Sequence, residues 1–280
     1  MTAFFTAVVI FDGWIDGSLT ASIADDKPIQ GTVFCILIAL LAIPAQLELA
    51  RLAAAKRLKI FIPVSTIASI FFATYRYWQQ EYWHQFVVIR PETYLIFLSV
   101  LVLLSLILYQ YISYGTSGVL ANCGANYFSI LYLGLLSSFL VAMRLELGLW
   151  HLLMFVFVIK FADIGAYAIG VSFGRHRFSP KISPLKSWEG MAGAVGAAVI
   201  VAIGFAVSCD IMAWWLAAVF GLCFAFIGQI GDLVESMMKR DAEQKDSSKN
   251  VPGFGGILDI IDSLLVAAPF GYLFFILSIR

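Results

Sequence analysis

Long apolar runs separated by short polar or charged clusters dominate this chain. They fall at about 2–15, 31–54, 60–76, 93–113, 126–145, 149–173, 188–208, 211–238 and 257–278. The runs are continuous rather than alternating, so they predict α-helices and exclude a transmembrane β-barrel. A bilayer core about 30 Å thick takes roughly 20 apolar residues per helix. Most of the runs meet that length. The first is short and interrupted by Asp12, and the third is also compatible with an interfacial segment. The stretch 113–126, SYGTSGVLANCGAN, is polar, uncharged and reads as a loop.

Composition turns these runs into a fold class. Of 280 residues, 61% are hydrophobic and 13% charged, and mean hydropathy is +0.90. Soluble domains are about 45–50% apolar and about 25% charged. A water-soluble domain and a disordered chain are both excluded. The expected fold is all-α: a polytopic integral membrane helical bundle with about nine transmembrane helices. N-terminal helices occupy 1–150 and a C-terminal catalytic region with cytoplasmic loops occupies 151–280, in one membrane-embedded unit. The MTAFFTAVVIF start lacks a basic n-region and an A-x-A site, so a cleavable signal peptide is not expected. Cys35, Cys123, Cys209 and Cys223 form no C-x-x-C pair or zinc spacing and read as apolar fillers. Zero net charge gives no reason to expect nucleic acid.

Charge placement adds an orientation. With nine spans, the loops after the second, fourth, sixth and eighth lie on one side. They carry Arg51, Lys56, Arg57, Lys59, Arg175, Arg177, Lys181, Lys186, Lys239, Arg240, Lys245 and Lys249, twelve of the 18 Lys and Arg. The other side carries Lys27, Arg76, Arg90, Arg144 and Arg280, and Lys160 falls inside a span. The positive-inside rule makes the first side cytoplasmic. The acidic stretch with Asp12, Asp16, Asp25 and Asp26 is then expected outside.

Ionisable groups at membrane depth are costly and mark candidate sites. Lys160 and Asp163 share a helix face at i,i+3, as do Asp232 and Glu235, with Lys239 at i+4 from Glu235. The last span opens with VPGFGGILDIIDS. Its glycines leave a bare helix start suited to a phosphate, and Asp259 and Asp262 beyond it suit a hard cation such as Mg²⁺. The loop GRHRFSPKISPLKSWEG, 174–190, is basic and ends in Trp188 and Glu189. For each feature there is a plainer account: a buried structural ion pair, helix-end charges, a topology-setting loop, an interfacial Trp. The loops share one side, however, and Asp232, Asp259 and Asp262 sit at matching depth near it. Carboxylates for metal beside Lys and Arg for phosphate is the arrangement of phosphoryl and nucleotidyl transfer.

These residues carry a resemblance. SMMKRDAEQKD (236–246) followed by PGFGGILDIID (252–262) resembles the signature of phosphatidate cytidylyltransferases (CDP-diacylglycerol synthases). That signature reads S-x-x-K-R-x-x-x-x-K-D, then P-G-H-G-G-x-x-D-R-x-D. GDLVES, DIGAY and SPLKSWEG are further landmarks, and the likeness covers about 160–268. Two positions depart from the signature: Phe254 stands in place of His, and Ile260 in place of Arg.

The resemblance implies an enzyme that makes CDP-diacylglycerol and pyrophosphate from CTP and phosphatidic acid in phospholipid biosynthesis. The cofactor would be Mg²⁺ or another divalent cation, held by Asp232, Asp259 and Asp262. Lys239, Arg240 and Lys245 would neutralise phosphates, and Asp246 would orient the loop or the nucleotide. Asp163, Ser183, Lys186, Trp188, Glu189, Ser236, Gly255 and Gly256 would line the substrate site. The expected setting is the cell membrane, multi-pass, with the site facing the cytoplasm and the lipid entering sideways from the bilayer. A homodimer is an open expectation. The alternatives are a related synthase for another lipid phosphate, a cation-coupled transporter using Lys160, Asp163 and Asp232, and an inactive scaffold paralogue. Clustering of the charges on one side argues against the transporter, and retention of the aspartates argues against the scaffold.

Overall fold

A computed structural model describes residues 2–19, 27, 29–80, 90–244, 248 and 256–278. Among them the chain forms nine helices: α1 (Thr2–Asp16), α2 (Thr32–Ala55), α3 (Ile62–Thr74), α4 (Pro91–Tyr114), α5 (Val119–Leu147), α6 (Leu149–Phe173), α7 (Trp188–Cys209), α8 (Trp214–Asp241) and α9 (Leu258–Ser278). Helix α5 contains two π-helical turns, Leu131–Leu135 and Met143–Leu147. No strand occurs among the described residues; an isolated antiparallel bridge joins Arg177 and Ser187.

Seven of these helices are long and apolar enough to cross a membrane; α1 has 15 residues and α3 has 13. The expectation of about nine spans is thus met in helix number but not in length. At about 1.5 Å per residue, α3 alone covers roughly 20 Å. The chain nevertheless runs from one end of the bundle to the other through α3 and a following 3-10 turn, Tyr77–Gln79. Asn126 of α5 accepts from the Phe61 N–H at 2.6 Å before α3. After it, Tyr77 Oη lies 3.0 Å from Thr32 Oγ1 at the opposite end.

The two ends of the bundle differ. At one, Lys56 after α2 pairs with Asp241 at the end of α8 (3.3 Å), and Arg240 donates to the Ile182 carbonyl in the α6–α7 loop (3.1 Å). At the other, Arg76 pairs with Glu146 (2.9 Å), and Arg144 is buried against Asp12 and Asp16. The loops grouped by the charge count meet at the first end. Asp12 and Asp16, expected in an exterior acidic stretch, instead lie within α1 and are 1% and 3% exposed. Arg144 donates to Asp12 Oδ2 at 2.8 Å and to Asp16 Oδ2 at 2.6 Å. Asp12 Oδ1 also accepts the Val33 and Phe34 N–H groups at the start of α2. Asp25 and Asp26 lie outside the described residues.

The polar stretch read as a loop at 113–126 is already helical from Val119. Asn122 and Asn126 point inward from α5 and satisfy the backbone at Lys59 and Phe61 where the chain turns into α3. Their polarity serves a buried turn rather than a solvated loop.

Helix α6 is central, with Phe155, Val158 and Ile159 fully buried. It packs along α7 through small residues, as membrane helices do when backbones approach closely. A Cβ on Gly165 or Gly193 would come within 2.5 Å of the other residue's carbonyl oxygen. Helices α8 and α9 meet the same way: a Cβ on Gly231 would lie 2.7 Å from Ser263 Cα. Gly231 precedes Asp232 and Ser263 follows Asp262, so this close approach determines where the site forms.

Candidate active site at one end of the bundle

Helices α6, α8 and α9 bring Asp163, Asp232 and Asp262 close enough to repel one another. Asp262 is buried, and the other two are half-buried. Two lysines stand among them. Lys160 Nζ lies 3.3 Å from Asp163 Oδ2 and donates to Ser263 Oγ at 2.9 Å. Lys186, from the α6–α7 loop, reaches Asp232 Oδ2 at 3.2 Å and the Gln229 carbonyl at 3.1 Å.

A second group adjoins the first. Lys239 Nζ is 2.5 Å from Glu235 Oε2 and 2.6 Å from Asp259 Oδ1. The other Asp259 oxygen accepts the Gly256 N–H at 2.7 Å. Both i,i+3 and i,i+4 pairs legible in the sequence, Lys160–Asp163 and Glu235–Lys239, are therefore formed.

The start of α9 is fixed from α2. Glu48, fully buried, accepts the Ile257 N–H at 3.0 Å, the Leu258 N–H at 2.8 Å and the Ser248 hydroxyl at 2.7 Å. A carboxylate at a helix N-terminus satisfies unpaired donors and favours the helix dipole. The donors expected to meet a phosphate here meet the carboxylates of Glu48 and Asp259 instead. Glu48 is missing from the residues expected from the sequence, although an acid within an apolar run is the same signal that singles out Lys160 and Asp163.

Two cavities meet at Asp163. One, about 220 Å³, is lined by Asp163, Ser183, Lys186, Ser187, Gln229 and Asp232 among others. The second, about 530 Å³, is walled by apolar side chains including Phe4, Phe5, Leu37, Leu41, Ile260 and Leu264, with Lys160, Asp163 and Asp259 at its polar part. Phe4 and Ile164, which also line it, are more than half exposed, so it opens on the apolar flank of the bundle. Ile260 thus contributes an apolar wall where the resembled signature has a cation.

The remaining expected residues divide. Ser183 and Lys186 line the polar cavity. Ser236 is half-buried, one turn beyond Asp232 on α8. Trp188 is exposed and packs on Phe178, with ring centres 5.3 Å apart. Glu189 accepts the Arg175 and His176 N–H groups and pairs with the His176 ring at 2.6 Å, holding the loop onto α7. Arg240 holds Ile182 of the same loop. Lys245, Asp246, Phe254 and Gly255 lie outside the described residues.

Among the described residues, no three His, Cys, Asp or Glu side chains are already gathered as a metal site. Asp259 is engaged by Lys239 and Gly256, while Asp232 and Asp262 stand together with Asp163. Mg²⁺ commonly takes only one or two carboxylates, with water and substrate phosphates completing its shell. The local composition also suits it: the five acids Asp163, Asp232, Glu235, Asp259 and Asp262 outnumber the three lysines Lys160, Lys186 and Lys239. The residues present therefore fit a hard divalent cation.

Comparison with known proteins identifies the family. The model of the cytidylyltransferase family matches residues 26–278. A phosphatidate cytidylyltransferase of Mycobacterium bovis is 41% identical over 119 residues, 42% of this chain and 39% of that protein. One of Staphylococcus saprophyticus is 39% identical over 142 residues, 50% of this chain and 54% of that protein. One of Chlamydia pneumoniae is 36% identical over 177 residues, 58% of this chain and 57% of that protein. The matches thus span about half or less of the length of these relatives.

Proposed function

Because the chain belongs to the cytidylyltransferase family, we propose that it joins phosphatidic acid to the cytidylyl group of CTP, forming CDP-diacylglycerol and pyrophosphate. The observation that carries this reading is the junction of a polar and an apolar cavity at Asp163. A lipid phosphate needs an apolar compartment for its chains and a charged one for its head, side by side. The opening on the bundle's flank suits a lipid arriving sideways. The polar cavity, with Lys186 on its wall, suits a triphosphate.

In the reaction, an oxygen of the lipid phosphate attacks the α-phosphorus of CTP. The bond from that phosphorus to the bridging oxygen breaks, and pyrophosphate leaves. A phosphate monoester has a second pKa near 6, so the nucleophile is already anionic at neutral pH and needs no strong base. Asp232 and Asp262 would hold a divalent cation, with Asp163 beside them; when bound, it supplies charge neutralisation at phosphoryl oxygens. Lys186 is 3.2 Å from Asp232 and can exchange this partner for a phosphate oxygen. Lys160 keeps Asp163 and Ser263 in place. Lys239, held between Glu235 and Asp259, secures α8 against α9. The basic end of the bundle, where Lys56, Arg240 and the α6–α7 loop meet, would face the cytoplasm of the cell membrane by the positive-inside rule.

The test uses purified protein in lipid nanodiscs with Mg²⁺ and CTP. Pyrophosphate should appear only when phosphatidic acid is included. Release that ignores the lipid, or no release at all, would sink the reading.

A further inference from the structure

The π-helical turn Leu131–Leu135 places Tyr132 in the wall between α2 and α9. Its ring packs among Ala45, Leu49, Leu258 and Leu265 and stacks on Phe128, with ring centres 5.8 Å apart. Tyr132 is 5% exposed, and its hydroxyl is buried with no hydrogen-bond partner among the described residues. Asp262, Glu235 and Asp232 are the charged groups near enough to act on it electrostatically. Glu235 Oε1 is likewise buried and has no partner among the described residues. A donor and an acceptor that complement each other thus border the same carboxylate group, yet they are not bonded to each other.

Buried hydroxyls are normally paired, because leaving one unpaired forfeits its hydration with no return. The ring alone would fill this wall equally well as Phe. π-Helical turns frequently accompany functional sites, and the extra residue re-aims the side chains of that turn. Here it is compatible with a close contact on the other side, where a Cβ on Gly134 would lie 2.7 Å from the Ser69 carbonyl oxygen.

We propose that the Tyr132 hydroxyl donates a hydrogen bond to a phosphoryl oxygen of bound substrate, so that α5 contributes a polar contact to the site beside α6, α8 and α9. This rests on the function proposed above. The shared chemistry is an anionic phosphoryl oxygen, whether on the lipid headgroup or on the nucleotide.

The experiment compares the full chain with its Tyr132→Phe variant in nanodiscs with Mg²⁺. It measures kcat, the KM for CTP, the KM for phosphatidic acid and the melting temperature without substrates. Removing an unpartnered hydroxyl should leave the melting temperature unchanged or raise it. Losing a bond to a charged oxygen should lower kcat/KM by about tenfold. A raised KM for CTP assigns the contact to the nucleotide, and a raised KM for phosphatidic acid assigns it to the lipid. A kcat/KM within about twofold of the original overturns the proposal at any melting temperature. So does failure to fold, which would make the hydroxyl a structural contact. Lack of lipid-dependent pyrophosphate release by the unaltered chain would instead refute the underlying function.

Discussion

Arg144 with Asp12 and Asp16 at one end of the bundle, and three lysines with five carboxylates at the other, put buried acids beside cations to different ends. In the first group the guanidinium binds both acids at 2.6 and 2.8 Å. Backbone N–H groups of Gly31, Val33 and Phe34 also donate to the two carboxylates. All three side chains are almost fully buried. In the second group, Lys160 and Lys186 have flexible stems and point charges. Asp163 and Asp232 there border cavities and face lysines. An acid closed off by rigid donors fastens helices; an acid with mobile cations and open space beside it can bind.

The most damaging way to probe this contrast is at the fastening end. Arg144→Met should leave two buried carboxylates short of their cation and cost roughly 3–5 kcal/mol of stability. Thermal unfolding in detergent would show it, while activity per folded molecule should change little. Equal stability in this variant would remove the structural reading of Arg144.

Asp262→Asn should do the reverse. It keeps size but removes a negative charge from a group that already repels itself, so the fold should be as stable or more so. Activity should fall at least about a hundredfold, as when metal-held charge stabilisation of several kcal/mol is lost. Asp232→Asn should behave alike. Full turnover in both would dissolve the functional side of the comparison.

Gly231→Ala tests how the open group is positioned. The new Cβ would meet Ser263 Cα at 2.7 Å, and α8 and α9 must shift apart. Overpacking of this kind costs about 1–3 kcal/mol, and activity should drop by about tenfold because Asp232 and Asp262 separate. Gly196→Ala on α7, with open space around its Cβ, is the control and should alter neither. Equal behaviour of the two variants would mean that the α8–α9 approach does not set the site.

The same contrast explains what was legible beforehand. Helix number, and the pairs Lys160–Asp163 and Glu235–Lys239, follow from local spacing, because side chains three or four residues apart share a face. Arg144 with Asp12 joins residues 132 positions apart, and Glu48 caps a helix that starts about 210 residues later. No local pattern encodes such partners. An acid in an apolar run announces only that a partner exists, so Asp12 read as an interruption. Tyr132 carried no signal, since an aromatic within a membrane helix is ordinary until its hydroxyl is found unpaired. The start of α9 was legible as a glycine-flanked helix end, but not that Glu48 would take its donors.

The smallest effect is expected at Ile260, where the apolar cavity and the acid group touch. Ile260 is half-buried in the cavity wall, beside Asp259, which Lys239 already engages. An arginine there can lay its stem along the apolar wall and carry its head to the polar part of the cavity, where Asp163 and Asp259 lie. It would add a positive charge beside the carboxylate group and weaken attraction for a divalent cation. It would leave Asp232, Asp262 and Lys186 untouched. Ile260→Arg should therefore change kcat/KM by less than about tenfold, roughly 1.4 kcal/mol in barrier, with a modestly higher Mg²⁺ requirement. A loss beyond a hundredfold would mean that the cavity wall at 260 must stay apolar for the lipid chains. Activity gained by a chain otherwise silent would mean that the open group, as it stands, lacks a cation it needs.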